Sequence, residues 1–563
     1  LSSAIAGDTV YLKGGTYSYS SAYGSAFAPS RSGSAGNTIT FSAAPGETPI
    51  VQQGDTTNIM IGIDLNSRNY IKITLIVFKN FMYYLAFLRG GASYNEISYC
   101  TITSDAAYQA GTGFIIGGFD GTSGWSTHNW IHHNYISSKH NTDPCGEATD
   151  LIRVGNAESG PTSGDNYNTI EYNYLEYGGH STIMTNSKYN VLKGNISHNE
   201  PWITGCTSTS GCSGHTWCND PTYVNTLYNG LYGHRNFGIG DSDQTNAAYT
   251  LLEGNRLGFA STNPGNAGSS NIDIESPYNI VRYNFVFAGN DSGIYFKWAN
   301  SAGNGTGAAY NKVYNNTVYK NGYGWDSRTY GHGNWTYNGQ GIAQYSANGN
   351  PTNNVVKNNI VYGNTEGDIC ALGLYTPPGN CSVQSWDTVS NNWLTTNGDP
   401  KFTSTDISDP TSQNLIPSAH GYTATPLPNF ALQSSSGAID GGTYLTTASG
   451  SGSTSSTLVV ADAMYFQDGT WGSSLARGTT HFADWIAIGS VSNIVQISSI
   501  NYSTNTIQLA AQASWNSGDH IWLIKKSDGT TVLYGSAPDY GAHEYNATAG
   551  TPSYTGGVSG GGH

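Results

Sequence analysis

Asn168-Thr169-Ile170-Glu171-Tyr172-Asn173 and Asn190-Val191-Leu192-Lys193-Gly194-Asn195 are two copies of one phrase, Asn-x-(Ile/Val/Leu)-x-x-Asn. The phrase returns at Asn129/Ile131/Asn134, Asn279/Val281/Asn284, Asn311/Val313/Asn316 and Asn354/Val356/Asn359. Degenerate copies stand at Asn69/Ile71/Thr74, Asn95/Ile97/Cys100, Thr250/Leu252/Asn255 and Asp387/Val389/Asn392. Irregular spacing around an unvarying core is the mark of a solenoid whose strands stay in register while its loops differ in length. The central residue is aliphatic and mostly β-branched, which suits a pleated, half-buried strand. The second Asn falls where the strand must bend, and Asn tolerates left-handed backbone there. Stacked copies are expected to form a ladder of side-chain amides between successive coils, pairing polar groups that a bend would otherwise bury unsatisfied.

Composition agrees. There are 72 Gly and 40 Tyr but only 4 Met, and Lys plus Arg total 22, which reads as all-β with many turns. A chain of 563 residues exceeds one ordinary globular core, but a solenoid grows without that limit. A formal net charge of -15 argues against a nucleic-acid partner. No apolar run reaches membrane-spanning length. The chain opens at Leu1 inside what reads as a coil, so an upstream segment is expected.

The expected organisation is an opening coil and cap over 1–60, then a parallel β-helix over 61–450 with a Cys-rich insertion at 199–248. A small inserted β domain over 451–534 follows, where the Asn phrase gives way to alternating strands such as Ile494-Val495-Gln496-Ile497. A closing motif and Gly-rich tail occupy 535–563. Cys370 and Cys381 would close a short loop, and Cys206, Cys212, Cys218 and Cys145 offer two more bridges, which favours an oxidising, extracellular setting. Cys100, at a ladder position, is expected to be a buried free thiol.

The opening Ala6-Gly7-Asp8-Thr9-Val10-Tyr11-Leu12-Lys13-Gly14-Gly15-Thr16-Tyr17, the repeats, and the ending Gly535-Ser536-Ala537-Pro538-Asp539-Tyr540-Gly541-Ala542-His543-Glu544-Tyr545 together carry a resemblance. The chain resembles the right-handed parallel β-helix, pectate-lyase-like superfamily, in its secreted or cell-surface bacterial and archaeal forms. That resemblance implies a solenoid of about ten or more coils. It leaves activity open, because the fold hosts lyases, hydrolases, tailspikes, adhesins and surface-layer components.

Lyases of this fold use Lys or Arg as a base, with acidic residues holding Ca²⁺ to neutralise the uronate. The matching stretch here is Asn271-Ile272-Asp273-Ile274-Glu275, followed by Lys297. Asp273 and Glu275 are two apart on a strand and share a face, which would suit oxygen ligation of Ca²⁺. No Lys follows Glu275 at the spacing those lyases use, and the competing reading makes both acids outward and solvated. His132 and His133 are adjacent on a strand and are expected to point to opposite faces, which argues against a metal site there. Among the Asn-x-Ser/Thr sequons, Asn304, Asn334, Asn501 and Asn546 lie in expected loops and are the better glycan acceptors, whereas Asn195 is a ladder residue.

Two functions follow. The leading one is an extracellular structural or adhesive protein, a self-assembling filament or surface-layer subunit that associates by axial stacking or strand exchange. The alternative is a secreted polysaccharide lyase or glycoside hydrolase, tailspike-type included, acting on an extracellular glycan.

Overall fold

The computed structural model describes residues 2–55, 58, 60–104, 112–117, 124–138, 150–155, 164–176, 178, 180–199, 235–240, 247–260, 270–289, 292–297, 307–322, 339–345, 352–372, 388–405 and 430–546. Within them the chain winds into a parallel β-helix with three long faces. Sheets A and B have 12 parallel strands each and sheet C has 11, and every third strand in sequence joins the same sheet. The opening stretch forms the first turns of these sheets, with Thr9–Leu12 pairing with Ile39–Ala43 in sheet A.

Each copy of the Asn phrase after the first is one short sheet-A strand held between two bends; at Asn69/Ile71/Thr74 the register differs, with Ile71 on the Asn rung and Ile73 in the aliphatic place. Ile131, Ile170, Leu192, Leu252, Val281 and Val313 stand in register and are fully buried in one continuous apolar core. The two Asn positions form two ladders, one at each bend. The second is unbroken from Asn134 through Asn173, Asn195, Asn255, Asn284, Asn316 and Asn359 to Asn392, each Nδ2 donating to the next Oδ1 at 2.9–3.1 Å. The same Oδ1 also accepts the preceding rung's backbone N–H, as Asn255 does for Asn195 at 3.0 Å. Every rung thus satisfies two donors at a bend that water does not reach. Cys100 starts this ladder, with its N–H on Asn134 Oδ1, and is a buried free thiol.

One detail of the bends differs from expectation. The ladder Asn residues do not take the left-handed conformation; the residue before each of them does. At the first bend these are Tyr94, His128, Tyr167, Tyr189, Tyr249, Tyr278 and Tyr310, with φ between 54° and 61°. Their rings stack one per coil at 4.8–5.1 Å, continuing from Tyr70. An Asn whose amide must bond along the axis needs its own backbone extended, so the turn is displaced by one residue, and ring stacking offsets part of the cost of left-handed geometry at a bulky residue. His133 follows the same rule at the second bend (φ 54°). Its ring therefore does not point away from His132: the two Nδ1 atoms lie 2.8 Å apart.

A separate six-stranded antiparallel sheet, sheet D, spans Thr446–Thr447 to His520–Lys525. Its inner face, with Ile486, Ile488, Ile521 and Leu523, packs on Val191, Leu251, Ile280 and Tyr314 of the outer face of sheet A. The closing motif returns to the solenoid. Asn315 Nδ2 donates to Asp539 O at 2.9 Å and Ala542 N to Thr317 Oγ1 at 3.0 Å. Gly541 (φ 86°) lies so close that a Cβ there would sit 2.7 Å from Thr317 Oγ1 and 2.8 Å from Ile360 Cδ1. No helix among the described residues is long and apolar enough to cross a membrane. Cys370 is disulfide-bonded, while Cys145, Cys206, Cys212, Cys218 and Cys381 lie outside the described residues.

Candidate functional site

On the outer face of sheet C, Arg153, Met184, Gly238, Asp273 and Tyr295 form one register column across successive coils. Alternation along strand Ile272–Ile274 turns Ile272 and Ile274 into the core and Asp273 outward. Glu275 follows directly. Both carboxylates are 1% exposed, so outward here does not mean solvated. Their charge is met by Arg235, at the start of strand Arg235–Ile239. Its Nη1 donates to Asp273 Oδ2 and to Glu275 Oε1, each at 3.0 Å. The arginine reaches them across Gly238, which has no side chain to obstruct it: a Cβ at that glycine would sit 3.2 Å from Arg235 Cδ.

Two more groups extend the cluster along the axis. Lys297, at the end of the next coil's strand, places Nζ 3.2 Å from Glu275 Oε1 and 3.8 Å from Asp273 Oδ2. On the other side, Arg235 Nη2 stands 2.6 Å from His180 Nε2, and His180 Nδ1 stands 2.9 Å from Asp150 Oδ1. An arginine only donates, so His180 Nε2 must accept and Nδ1 must carry the proton given to Asp150. Ser270 Oγ donates to Asp273 Oδ1. The result is a polar chain, Asp150–His180–Arg235–Asp273/Glu275–Lys297, over successive coils. Asp150, which also faces Arg153 Nη1 at 3.6 Å, and the middle of the chain are sealed, while His180 (side chain 25% exposed) and Lys297 (18%) reach solvent.

A calcium ion does not fit this donor set as it stands. The space between the two carboxylates is taken by a guanidinium and flanked by an ammonium, and no group of three or more His, Cys, Asp or Glu converges among the described residues. The structure brings Asp273, Glu275 and Lys297 together, as their sequence pattern suggested, but around Arg235 rather than a cation.

A second polar group lies on sheet B. Tyr135 donates to Glu176, Tyr174 bonds His198, and His198 Nε2 lies 3.2 Å from Glu176 Oε2; all four residues are buried. Burial acts to raise the Glu176 carboxyl's affinity for its proton, but the His198 and Tyr135 hydrogen bonds and the His198 charge outweigh it, and it is held below the ordinary range. Of the sequons, Asn195 is fully buried and Asn501 is exposed at the end of a sheet-D strand, while Asn304 and Asn334 lie outside the described residues.

No family model and no curated protein matches the sequence. Among solved structures, the chain is similar to the pectate lyase Pel9A at 14% identity, over 80% of this chain and 86% of that one, with a TM-score of 0.41. It is similar to the PL6 family alginate lyase AlyGC at 13% identity and a TM-score of 0.37, over 72% of this chain and 52% of that one, about half its length. The A-module of the Azotobacter vinelandii mannuronan C-5 epimerase AlgE6 follows at 12% identity, over 68% of this chain and 90% of that one, with a TM-score of 0.36. Overlays this loose bear on neither activity nor substrate. The class itself rests on the sheet pairing: the chain is a parallel β-helix protein with a small antiparallel β domain docked on one face.

Proposed function

We propose that this β-helix is a secreted enzyme of polysaccharide cleavage, lyase-type, with Lys297 as the group that meets the substrate. The observation that carries the reading is the contrast in exposure within the sheet-C cluster. Arg235, Asp273 and Glu275 are buried to 3% exposure or less, and the lysine they hold reaches the surface. Burying two carboxylates and a guanidinium is costly, and such clusters concentrate where chemistry needs a fixed electrostatic environment. Buried charge also serves docking in this chain, at Arg282, so what favours the enzymatic reading over the filament or surface-layer one is the exposed amine at the edge of this cluster.

In this reading the substrate is a uronate-containing chain lying along sheet C. In β-elimination the carbon-bound proton beside the carboxylate is lost to a base, the enolate so formed expels the glycosidic oxygen, and that oxygen leaves with a proton; Lys297, held as an ammonium by Glu275 and Asp273, neutralises the developing enolate. Asp273, Glu275 and Arg235 are positioning residues that fix the amine. His180, three coils away and so about 14 Å along the axis at one strand spacing per coil, is the second group within reach of a bound chain.

Incubation with polygalacturonate and with alginate, followed by ultraviolet absorbance of the unsaturated product, tests this. The Lys297→Ala variant is expected to lose product formation while melting like the parent. Full activity in that variant would remove Lys297 from the chemistry. New reducing ends without unsaturation would make the enzyme a hydrolase.

A further inference from the structure

We propose that the outer face of sheet D, together with the rim of the solenoid beside it, is a non-catalytic binding platform for an acidic polysaccharide. The face is built on strand His520–Lys525, whose alternation sends Ile521 and Leu523 toward the solenoid and His520 and Trp522 away from it. Trp522 pairs with Ala487 and Lys525 with Trp485 on the neighbouring antiparallel strand. Trp485, two residues from Ala487, is therefore the diagonal neighbour of Trp522, about 7–8 Å away on the same face. Beneath them a small apolar patch of Ala487, Ile524 and Leu533 is closed, and the indoles rest on it while remaining partly exposed.

The aromatic row continues onto the solenoid. The His520 ring stands 5.7 Å from Trp522 and stacks on Tyr444 at 3.6 Å. Tyr444 in turn has Lys357 Nζ, from a sheet-A strand, 4.8 Å from its ring centre. At the other end, Lys525 Nζ lies 5.1 Å from the centre of the Trp485 ring. The row therefore has a cation at each end.

Two observations point to a ligand. Lys357 and Lys525 have no carboxylate partner among the described residues, which they share with Lys13, Lys79, Lys188, Lys320 and Lys401, but these two stand over rings at opposite ends of one aromatic row. The indole N–H groups of Trp485 and Trp522 have no protein acceptor among the described residues, and both side chains are partly exposed. Rings present flat apolar faces to sugar C–H groups, and the lysines supply charge for carboxylates. A neutral glycan would use the rings and ignore the cations.

The ligand class rests on the lyase-type reading above, but the platform is separable from it, because sheet D packs on sheet A and the Lys297 cluster lies on sheet C. Full-length protein carrying Lys297→Ala is used for affinity electrophoresis in gels containing polygalacturonate, with a neutral glucan as control. Retardation by the polyuronate alone is expected, and it should persist without catalysis. Adding Trp522→Ala or Trp485→Ala should weaken the apparent affinity at least tenfold, and Lys525→Gln should flatten its salt dependence. Because the tryptophans also cover Ala487 and Leu533, the surface change Lys525→Gln and the conservative Trp522→Phe serve as variants that keep the fold, checked by melting. Unchanged retardation in all of these, or equal retardation by the neutral glucan, would overturn the proposal. Binding that survives while no polysaccharide is cleaved by the parent would instead leave the platform standing and remove the lyase reading.

Discussion

Two buried charge networks decorate the outside of the same solenoid, and they differ in what closes them. On sheet A, Arg282 is fully buried between Glu253 (Nε to Oε2, 2.7 Å) and Asp484 (Nη1 to Oδ2, 2.7 Å), and Asp484 belongs to the small domain that covers it. On sheet C, Arg235 makes the same kind of two-acid contact, yet its network includes Lys297 and His180, both in touch with solvent. Arginine between two acids is thus used once as a dock and once as a scaffold for an accessible amine. Identical residue types carry different roles because one network is covered by protein and the other reaches water.

Substitutions can break this contrast. The largest effect is expected from Asp484→Ala, which strands Arg282 beneath the docked domain. Breaking a buried pair costs about 3–5 kcal/mol, to be read from urea unfolding, and product formation per folded molecule should stay near the parent's. The mirror outcome is expected for Lys297→Ala. In the proposed reading, loss of the charge that stabilises the enolate costs about 10²-fold or more in rate, with little change in unfolding. If Lys297→Ala unfolds the chain as readily as Asp484→Ala, the sheet-C network is structural too.

Asn255→Ala probes what both networks stand on. It leaves Asn195 N and Nδ2 without their shared acceptor, and orphaned buried donors should cost about 2 kcal/mol. Stability should fall and activity per folded molecule should not, as judged by unfolding and turnover on the same sample. The smallest effect concerns acids with no cation beside them. In the closing motif, burial first and then the negative charge of Asp539 push the Glu544 carboxyl up to about 8. A folded-state value above the unfolded one means stability that is full below the ordinary value of 4.5 and is lost progressively as pH rises to about 8. Melting temperature should therefore decline between about pH 5 and 8 and level off above that, and Glu544→Gln should flatten that decline. An unchanged slope would mean another group titrates.

The solenoid was legible in the sequence because its signal is local: an aliphatic residue at a fixed offset from two Asn residues reports one strand and two bends on its own. The left-handed residue was missed by one position, although the signal was present in the Tyr or His that precedes ladder Asn after Asn. Asp273, Glu275 and Lys297 could be found as a pattern of charges on neighbouring coils. Arg235 was not connected to them, since it lies 38 residues from Asp273 and contact across coils depends on register, not on separation along the chain. Laying each coil beneath the previous one by its Asn does not place Gly238 beside Asp273 either, because the segments that join sheet C to the Asn rungs differ in length between the two coils. The docking of the small domain was beyond reach for the same reason, because Arg282 and Asp484 are 202 residues apart and share no repeat.

The unbroken amide row has a consequence for how such a chain diversifies. Successive rungs are joined at nearly constant distance although the intervening segments range from 22 residues, between Asn173 and Asn195, to 60, between Asn195 and Asn255. Pitch is set at the corners, so a loop can grow, shrink or be replaced without retuning the rungs on either side. New surfaces can then be grafted one corner at a time, as pegs are moved on a board whose holes stay put.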